Sequence, residues 1–550
     1  MTGTVEPQRE PADPLPDREL ADQLGTIVGR ENVHTDDGRR LFFATDIFTS
    51  GKPVSAVVAP ASSAELSRVL ALCASAGRAA IPRGGGFSYT RGYVPVTDDA
   101  VTIDLRRLDA IREINAEDLY VVVEAGCTWA KLYDALRERG LRTPYFGPMS
   151  GFRATVGGAL SQGSFFLGST EHGTTADSVL GLELVLADGT ILTTGSGAST
   201  HTQSPFFREY GPDLTGVFLH DSGALAFKTT AALKLIPFPK HHGYATLAFE
   251  ADAQAAAIAT MARIARDGLA GECYLWDPGF AAKMRMNNSM VDDLRYLGKV
   301  LRTGRNPLAG LIDGLKLATT GKRFLSQNRY LLHVTIDDAT EGGARGKVDE
   351  VLRIGAGNGA EAIEPSIPRA LRAMPFNDFT VGAFADQSMR TLPTHGIFPH
   401  SAIGAVGAAV DGFFAKHADD LDSLGITVGT IYFAIGRRAI CCEPLFYWRD
   451  EQLAAHDRKA ERSELSSLAR MAERPAAGQM VKTLRDELVT LFTSLGAVHC
   501  QIGKAYPYRE TRAPGTYALL EQVKQVLDGR NLVNPGALGL GLGDTAAPVT

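Results

Sequence analysis

Between residues 54 and 140, short apolar runs alternate with helical repeats. Val54–Ala59 and Ala79–Pro82 have the length and apolar content of buried strands. Ser62 and Glu65 lie between them at the spacing of a capping box, which predicts that a helix begins there. Apolar residues then recur at helical spacing. The predicted buried stripe consists of Leu66, Val69, Leu70 and Cys73.

The same alternation continues further along the chain. Val101–Asp104 and Tyr120–Glu124 are predicted strands, and Thr128–Arg139 is a predicted helix that ends before Gly140. A hairpin is predicted over 182–194, with its turn at Asp188 and Gly189. From 240 to 485 predicted helices and strands alternate again, which indicates a second α+β unit.

The sequence Arg83-Gly84-Gly85-Gly86-Phe87-Ser88-Tyr89 follows a predicted strand directly. Consecutive glycines allow the backbone to adopt positive φ and to lie close against a ligand. Peptide N–H groups in such a turn can point inward together and bind an anion such as a pyrophosphate. The spacing matches neither the Rossmann fingerprint nor the P-loop, and an ordinary glycine turn remains the alternative.

A second glycine-rich stretch extends from Gly147 to Gly173. Unlike a flexible linker, it also carries large apolar residues, so we expect a tightly folded loop that presses against a flat ligand. Those apolar residues are Phe152, Val156, Leu160, Phe165, Phe166 and Leu167.

Composition narrows the class of protein. A chain of 550 residues is too long for one core, and a net charge of −6 argues against nucleic-acid binding. No apolar run is long enough to span a membrane, and Met1–Asp17 lacks the apolar core of a signal peptide. The six cysteines show no paired metal-binding spacing, so we expect no metal and a reducing, cytoplasmic location.

Seven short motifs occur in an order and spacing that resembles the FAD-linked oxidase family with the vanillyl-alcohol-oxidase and p-cresol-methylhydroxylase (PCMH) fold. The terminal Asn-Pro-Gly is most similar to the glycolate-oxidase and D-lactate-dehydrogenase branch. The motifs are Ile81–Ser88, Glu124–Gly126, Thr155–Gly158, Ser169–Glu183, Asp221–Leu225, Leu233–Pro237 and Asn534–Gly536.

The resemblance implies an α+β protein with a bipartite PCMH-type FAD-binding domain and an α+β cap over the flavin. We expect a partly disordered lead-in over 1–45, the FAD-binding domain over 46–239 and the cap, or substrate domain, over 240–485. Residues 486–550 are expected to return to the FAD-binding domain. The sequence leaves assembly into a homo-oligomer open.

The same resemblance implies a set of FAD-binding residues in the glycine segments, a later turn and the C-terminal motif. In that set, backbone amides hold the pyrophosphate, and Arg83 and Ser88 add side-chain donors. The set is Pro82, Arg83, Gly84, Gly85, Gly86, Phe87, Ser88, Tyr89, Pro148, Met149, Ser150, Thr155, Gly157, Gly158, Ser161, Gly168, Ser169, His172, Gly173, Thr174, Ala224, Leu225, Ala226 and Asn534.

One departure from the family concerns flavin attachment. Many relatives have at the position of Phe87 a histidine that bonds to the flavin, and phenylalanine cannot form that bond. The sequence therefore predicts dissociable FAD or attachment elsewhere. Cys441 and Cys442 are adjacent thiols in the predicted cap, although a pair of buried core thiols is the favoured interpretation.

Two groups of residues are candidates for the chemistry. His499 could take a hydroxyl proton, and Tyr506, Tyr508 and Arg509 could bind a carboxylate or phenolate. Arg437 and Tyr447 form a second group on predicted cap strands. The alternatives are a core histidine for His499, and a surface arginine pair with a buried aromatic patch for the second group.

These residues support several functions. The first is FAD-dependent oxidation of a small CH–OH substrate such as a 2-hydroxy acid, with electrons passed to O₂ or to a separate acceptor. The others are oxidation of a para-substituted phenol, a redox-neutral transferase similar to alkyl-dihydroxyacetonephosphate synthase, and a non-enzymatic flavin-binding protein. Because only His499 stands where the transferases have three histidines, the transferase ranks last among the enzymes.

Overall fold

The computed structural model describes residues 16–286, 328–376, 389–451, 453–456 and 475–541. Its strands and helices are numbered here in chain order. The strands are β1 (Val33–His34), β2 (Ala56–Val58), β3 (Ala80–Arg83), β4 (Val101–Asp104), β5 (Ile111–Asn115), β6 (Tyr120–Glu124), β7 (Leu141–Arg142), β8 (Val179–Val185), β9 (Ile191–Thr193), β10 (Phe227–Lys234), β11 (Ile236–Pro237), β12 (His241–Glu250), β13 (Glu272–Trp276), β14 (Arg329–Asp338), β15 (Glu361–Ile363), β16 (Met389–Pro393), β17 (Gly396–Pro399), β18 (Thr427–Ile435) and β19 (Ala439–Arg449). The helices are α1 (Asp17–Val28), α2 (Asp37–Phe43), α3 (Ser63–Ser75), α4 (Trp129–Arg137), α5 (Val156–Gln162), α6 (Ser169–His172), α7 (Leu214–Val217), α8 (Gln254–Arg266), α9 (Pro278–Met286), α10 (Glu341–Gly357), α11 (Ser366–Ala373), α12 (Ile403–Lys416), α13 (Ala418–Leu424), α14 (Pro475–Ser494) and α15 (Pro514–Leu527).

These strands form three main sheets. The first has the order β1-β2-β4-β3, and its last three strands are parallel because α3 connects β2 to β3. The second is antiparallel with the order β5-β6-β10-β8-β9. The third, the cap sheet, is antiparallel with the order β15-β12-β14-β13-β18-β19-β16, and β17 also pairs with β19.

Local sequence signals are accurate around α3. The Ser62 hydroxyl accepts from the backbone of Glu65 at 3.1 Å, and the Glu65 carboxylate accepts from the backbone of Ala61 at 2.8 Å. The predicted stripe of four residues is buried, which confirms the helix and its orientation. In the second glycine-rich stretch, Phe152 differs from the expectation because it is half exposed, whereas the other five apolar residues are buried.

Two of the predicted domain limits lie near or within helices of the structure. Residues 1–15 lie outside the described residues, but α1 and α2 are folded, and β1 pairs with β2. The limit at 485 falls inside α14, which packs against the cap through Val481, Leu488 and Phe492. The returning segment therefore begins after α14, and Ala80 bonds to Leu532 and Asn534 through its backbone.

The cap sheet has two different faces, because successive side chains of a strand alternate. Cys442 and Phe446 of β19 face the helices of the cap, in one core with Val410 and Leu488. Cys441 lies on the opposite face, in one core with residues of the FAD-binding half such as Phe165. Within the described residues, no helix is long and apolar enough to cross a membrane.

Candidate active site

The first glycine segment forms a partly exposed turn that is held by a second loop. A Cβ atom on Gly85 would overlap the carbonyl oxygen of Arg153, and one on Gly84 would overlap the Thr155 hydroxyl. The glycines thus permit two loops to touch. The backbone N–H groups of Gly85, Gly86 and Phe87 donate to no other described residue, so they are free to bind an anion.

The residues expected to bind FAD divide by exposure. Fourteen keep accessible surface: Pro82, Gly84, Gly85, Gly86, Phe87, Ser88, Tyr89, Pro148, Met149, Ser150, Gly158, Ser161, His172 and Thr174. Ten are buried by protein atoms: Arg83, Thr155, Gly157, Gly168, Ser169, Gly173, Ala224, Leu225, Ala226 and Asn534. The exposed run from Gly84 to Tyr89 fits a cofactor that is held by main-chain groups.

The side chains of Arg83 and Asn534 are buried by protein atoms. The Arg83 guanidinium is 2% exposed and lies 4.7 Å from the ring of Phe42 and 4.3 Å from that of Phe43, so it supports the turn from within. The Asn534 amide donates to the carbonyls of Gly92 and Ser222 at 2.8 Å each. Both amide protons of Asn534 are thus used within the protein, and a role of either residue in FAD binding stays a prediction.

The segment from Gly168 to Thr174 contacts the cap, whereas the resemblance implies that it runs along the flavin. The backbone of Gly436 donates to the Ser169 carbonyl at 2.8 Å, and the Thr170 hydroxyl donates to Ala434 at 3.2 Å. The Thr174 hydroxyl bonds to Asp177. These bonds join the segment to the cap, and its contact with the flavin stays a prediction.

A hydrogen bond joins the first glycine segment to the cap sheet. The Tyr89 hydroxyl donates to the Glu443 carboxylate at 3.0 Å. Glu443 lies deep in the protein and keeps only a little accessible surface. Burial raises the pKa of the Glu443 carboxyl to about 7, and the bond from Tyr89 offsets part of that rise.

Next to this pair, two histidines hold Tyr506. The Tyr506 hydroxyl accepts from the backbone of His395 at 2.9 Å and lies 3.1 Å from its Nδ1. His499 stacks on Tyr506 with ring centroids 4.2 Å apart, and its Nδ1 lies 2.8 Å from the His395 carbonyl oxygen. Burial lowers the pKa of His499 to about 4 and that of His395 to about 3, so both are neutral at pH 7.

A cavity of about 350 Å³ opens beside His499. Tyr506, Tyr508 and Arg512 line it together with the turn 216–221. Arg509 does not line it, because its guanidinium stacks over the Tyr517 ring at 5.5 Å. The structure therefore brings His499, Tyr506 and Tyr508 together and leaves Arg509 outside the cavity.

The second candidate group separates into two places. Tyr447 is buried on β19, four positions after Glu443, with the Lys283 ammonium 4.9 Å from its ring centroid. Arg437 lies in the turn between β18 and β19, where its backbone has a φ of 59° and its side chain is 46% exposed. It lies 3.5 Å from Glu171, and from this position we expect no contact of Arg437 with the substrate.

Replacing Arg437 with Ala is expected to leave substrate KM and FAD content unchanged. An exposed pair such as Arg437–Glu171 contributes little, so we expect unfolding to shift by less than about 0.5 kcal/mol. Steady-state kinetics and urea denaturation measure both effects. A several-fold rise in KM would restore Arg437 to the site.

Replacing Gly85 with Ala is expected to weaken FAD binding by about 10–100-fold, in line with the cost of overpacking a rigid contact. The added methyl meets a backbone carbonyl that cannot move aside like a flexible side chain. Gly412→Ala is the matched control, because its Cβ would meet open space. FAD titration of the apoprotein measures both variants, and equal affinities would contradict the packing argument.

Sequence reasoning did not select Glu443 as a proton acceptor, although it lay beside the candidate Tyr447. A lone glutamate on a predicted strand does not indicate a catalytic base, because its pKa depends on burial and on a tyrosine that is distant in the sequence. In the described parts of the chain, no group of three or more metal-binding side chains comes together.

The cysteines bear on flavin attachment. Cys441 and Cys442 are fully buried, and burial raises the pKa of both thiols. A buried protonated thiol is a poor nucleophile, which disfavours covalent attachment at either position.

Comparisons with known proteins agree with this architecture. The crystal structure of p-cresol methylhydroxylase with substrate bound has a TM-score of 0.71 at 17% identity, over 95% of this chain and 96% of that chain. The chain therefore has the α+β fold of this group of flavoproteins. Residues 54–195 match the family model described as an FAD binding domain.

Two curated relatives match the same region. The chain is 31% identical over 224 residues to glycolate oxidase subunit GlcD of Bacillus subtilis, which covers 40% of this chain and 46% of that protein. It is 31% identical over 249 residues to the mitochondrial D-lactate dehydrogenase (cytochrome) of Arabidopsis thaliana, which covers 44% and 42%. The matches thus span less than half of each relative. The protein carries a PCMH-type FAD-binding domain that is homologous to the domain in these proteins.

Proposed function

We propose that the protein is an FAD-dependent oxidoreductase that oxidises the CH–OH group of a small molecule such as a 2-hydroxy acid. The names of the two relatives favour this substrate class. The observation that carries the proposal is the bond between Tyr89, in the glycine segment, and Glu443, in the cap. It joins a proton acceptor to the turn that fits the cofactor.

The free amides of Gly85–Phe87 would hold the FAD pyrophosphate, and the exposed Pro148–Ser150 loop would lie along the cofactor. When bound, FAD supplies the acceptor for a hydride. We propose that FAD is dissociable, because Phe87 cannot bond to it and the cap thiols are protonated.

In the proposed reaction, the Glu443 carboxylate accepts the proton of the substrate hydroxyl while the C–H electron pair leaves as a hydride and a C=O bond forms. A carboxyl with a pKa of about 7 is matched to neutral pH, whereas His499, with a pKa of about 4, is a weaker base. We therefore assign proton transfer to Glu443 and the positioning of Tyr506 to His499 and His395.

The test begins with the visible spectrum before and after acid precipitation. A yellow supernatant supports dissociable FAD, a yellow pellet overturns it, and a colourless protein that takes up no FAD overturns the proposal as a whole. Glycolate, D-lactate and D-2-hydroxyglutarate are then added without oxygen. Bleaching of the flavin band by one of them supports the substrate class, and bleaching by none of them contradicts it. Reoxidation by O₂ or by a dye then tests for an oxidase or a dehydrogenase.

A further inference from the structure

Three aromatic side chains in the cap sheet carry polar atoms without partners. They are Tyr274 and Trp276 of β13 and His333 of β14, and each is less than a tenth exposed. The Tyr274 hydroxyl, the Trp276 Nε1 and the His333 Nε2 form no hydrogen bond among the described residues. The ring centroids lie 5.2 Å apart for Tyr274 and His333, and 4.7 Å apart for Trp276 and His333.

Unpartnered polar groups in a buried place are unusual, because each has lost its hydrogen bonds to water. The indole N–H can only donate, and the tyrosine hydroxyl can donate. The His333 Nδ1 lies 3.1 Å from the Thr246 hydroxyl. If that hydroxyl donates to Nδ1, then Nε2 carries the ring proton, so all three neighbouring side chains carry an unpaired donor.

The surroundings of this cluster are apolar and aromatic. Phe166 lies 5.7 Å from Tyr274 between ring centroids, and Phe280 lies 5.2 Å from Trp276. Phe433 packs on Phe166 at 4.9 Å. Flat walls of this kind favour a flat apolar body attached to the group that accepts the hydrogen bonds.

The register of the cap sheet relates the cluster to Glu443. Trp276 pairs with Ile431, and Ile431 pairs with Glu443 in the next strand. Trp276 and Glu443 therefore lie about 10 Å apart, two strand spacings across one sheet, and His333 lies one strand further away. Tyr274 and Cys441 belong to the same core, so the cluster lies on the face of the cap sheet that packs against the FAD-binding half. Glu443 is two residues after Cys441 on β19, so its side chain lies on that face as well.

We propose that this donor cluster binds an acceptor oxygen, a carboxylate or carbonyl, at the far end of a flat substrate whose CH–OH group lies at Glu443. The inference rests on the proposed function and extends it. Within the class of small CH–OH compounds, it favours substrates that carry a second acceptor group at the end remote from the reacting carbon. The cluster selects substrates by this distal group.

The test compares two probes on the FAD-loaded protein, by calorimetric titration and by the shift in melting temperature. 4-(Hydroxymethyl)benzoate carries a distal carboxylate on a flat ring, and benzyl alcohol lacks it. We expect the benzoate to bind roughly tenfold tighter or more, the size expected for hydrogen bonds to a charged group. Equal binding, or no binding of the benzoate, would overturn the proposal.

Tyr274→Phe separates a binding role from a structural role. We expect this variant to lose most of the preference for the benzoate while its ligand-free melting temperature stays equal or rises, because an unpaired buried hydroxyl is removed. Tyr432→Phe is the control, since Tyr432 is buried on the opposite face of the same sheet. A lower melting temperature with an unchanged preference in Tyr274→Phe would show that the hydroxyl serves only the fold.

These readouts do not require turnover. If the probes behave as expected but no hydroxy acid bleaches the flavin, the site stands and the substrate class proposed above fails. If hydroxy acids bleach the flavin and the probes bind equally, the donor cluster is excluded while the proposed function survives.

Discussion

Glu443→Gln is expected to slow reduction of the bound flavin by about 10²–10⁴-fold at neutral pH, the contribution typical of a positioned base. The glutamine keeps the size of the side chain and an oxygen that can accept from Tyr89, but it cannot take a proton. Anaerobic stopped-flow absorbance, with whichever hydroxy acid bleaches the flavin in the test above, measures this step directly. His499→Asn is the comparison, and a larger loss in that variant would return proton transfer to His499.

The pH dependence of the wild-type rate follows from the same carboxyl. Only the ionised form accepts a proton, so the rate should rise with pH through about 7. Because the bond from Tyr89 lowers the pKa of Glu443, Tyr89→Phe should move the midpoint to higher pH. A midpoint that stays in place in Tyr89→Phe would contradict the assignment.

The contribution of Glu443 to the free energy of unfolding should fall as the pH rises, whereas the rate should increase. The pKa of Glu443 is higher in the folded protein than in the unfolded chain, so the folded state binds the extra proton between these values. This contribution is complete below the ordinary glutamate pKa and is lost as the pH rises through about 7. Glu443→Gln should remove that slope from the pH dependence of unfolding.

The sequence allowed prediction of the features that depend on neighbours along the chain. The cap of α3, its buried stripe and the glycine turn each follow from residues within a few positions of one another. The contact between Tyr89 and Glu443 joins residues 354 positions apart, and no local pattern encodes it. The candidate base, Glu443, is therefore defined only by the folded structure, in which the cap lies over the glycine segment.

Arg437 shows the limit of residue type as a guide. An arginine pair beside an aromatic run suggests an anion site, but the turn between β18 and β19 points these residues outward. Arg83 shows a related limit, because its guanidinium next to the glycines lies on the aromatic rings beneath them. In both residues the backbone direction decides the role, and composition does not reveal it.

A buried ion network connects the cap to the FAD-binding half. Asp337 of β14 lies 3.0 Å from Arg142 of β7 and contacts Arg372 and His242 as well. Burial alone would raise the pKa of Asp337, but Arg372, His242 and Arg142 outweigh it and hold the pKa well below its ordinary value. Arg372 also pairs with Glu272 at 3.3 Å, so the charges are compensated as a group.

Asp337→Asn is expected to destabilise the protein by about 3–5 kcal/mol at pH 7, because it leaves buried guanidinium groups without their carboxylate. Asp338→Asn is the control, since Asp338 is adjacent but lies at the surface, where it pairs with the partly exposed Lys347 and accepts from Thr340. Chemical denaturation, with release of FAD as a second readout, measures both variants.

The effect of pH decides whether the charge itself is responsible. Because the folded pKa of Asp337 is depressed, its contribution is present above the ordinary aspartate pKa and is lost as the pH falls below it. The difference in stability between wild type and Asp337→Asn should therefore shrink as the pH falls below about 4. A difference that is independent of pH would mean that packing, rather than the buried charge, joins the cap to the FAD-binding half at this position.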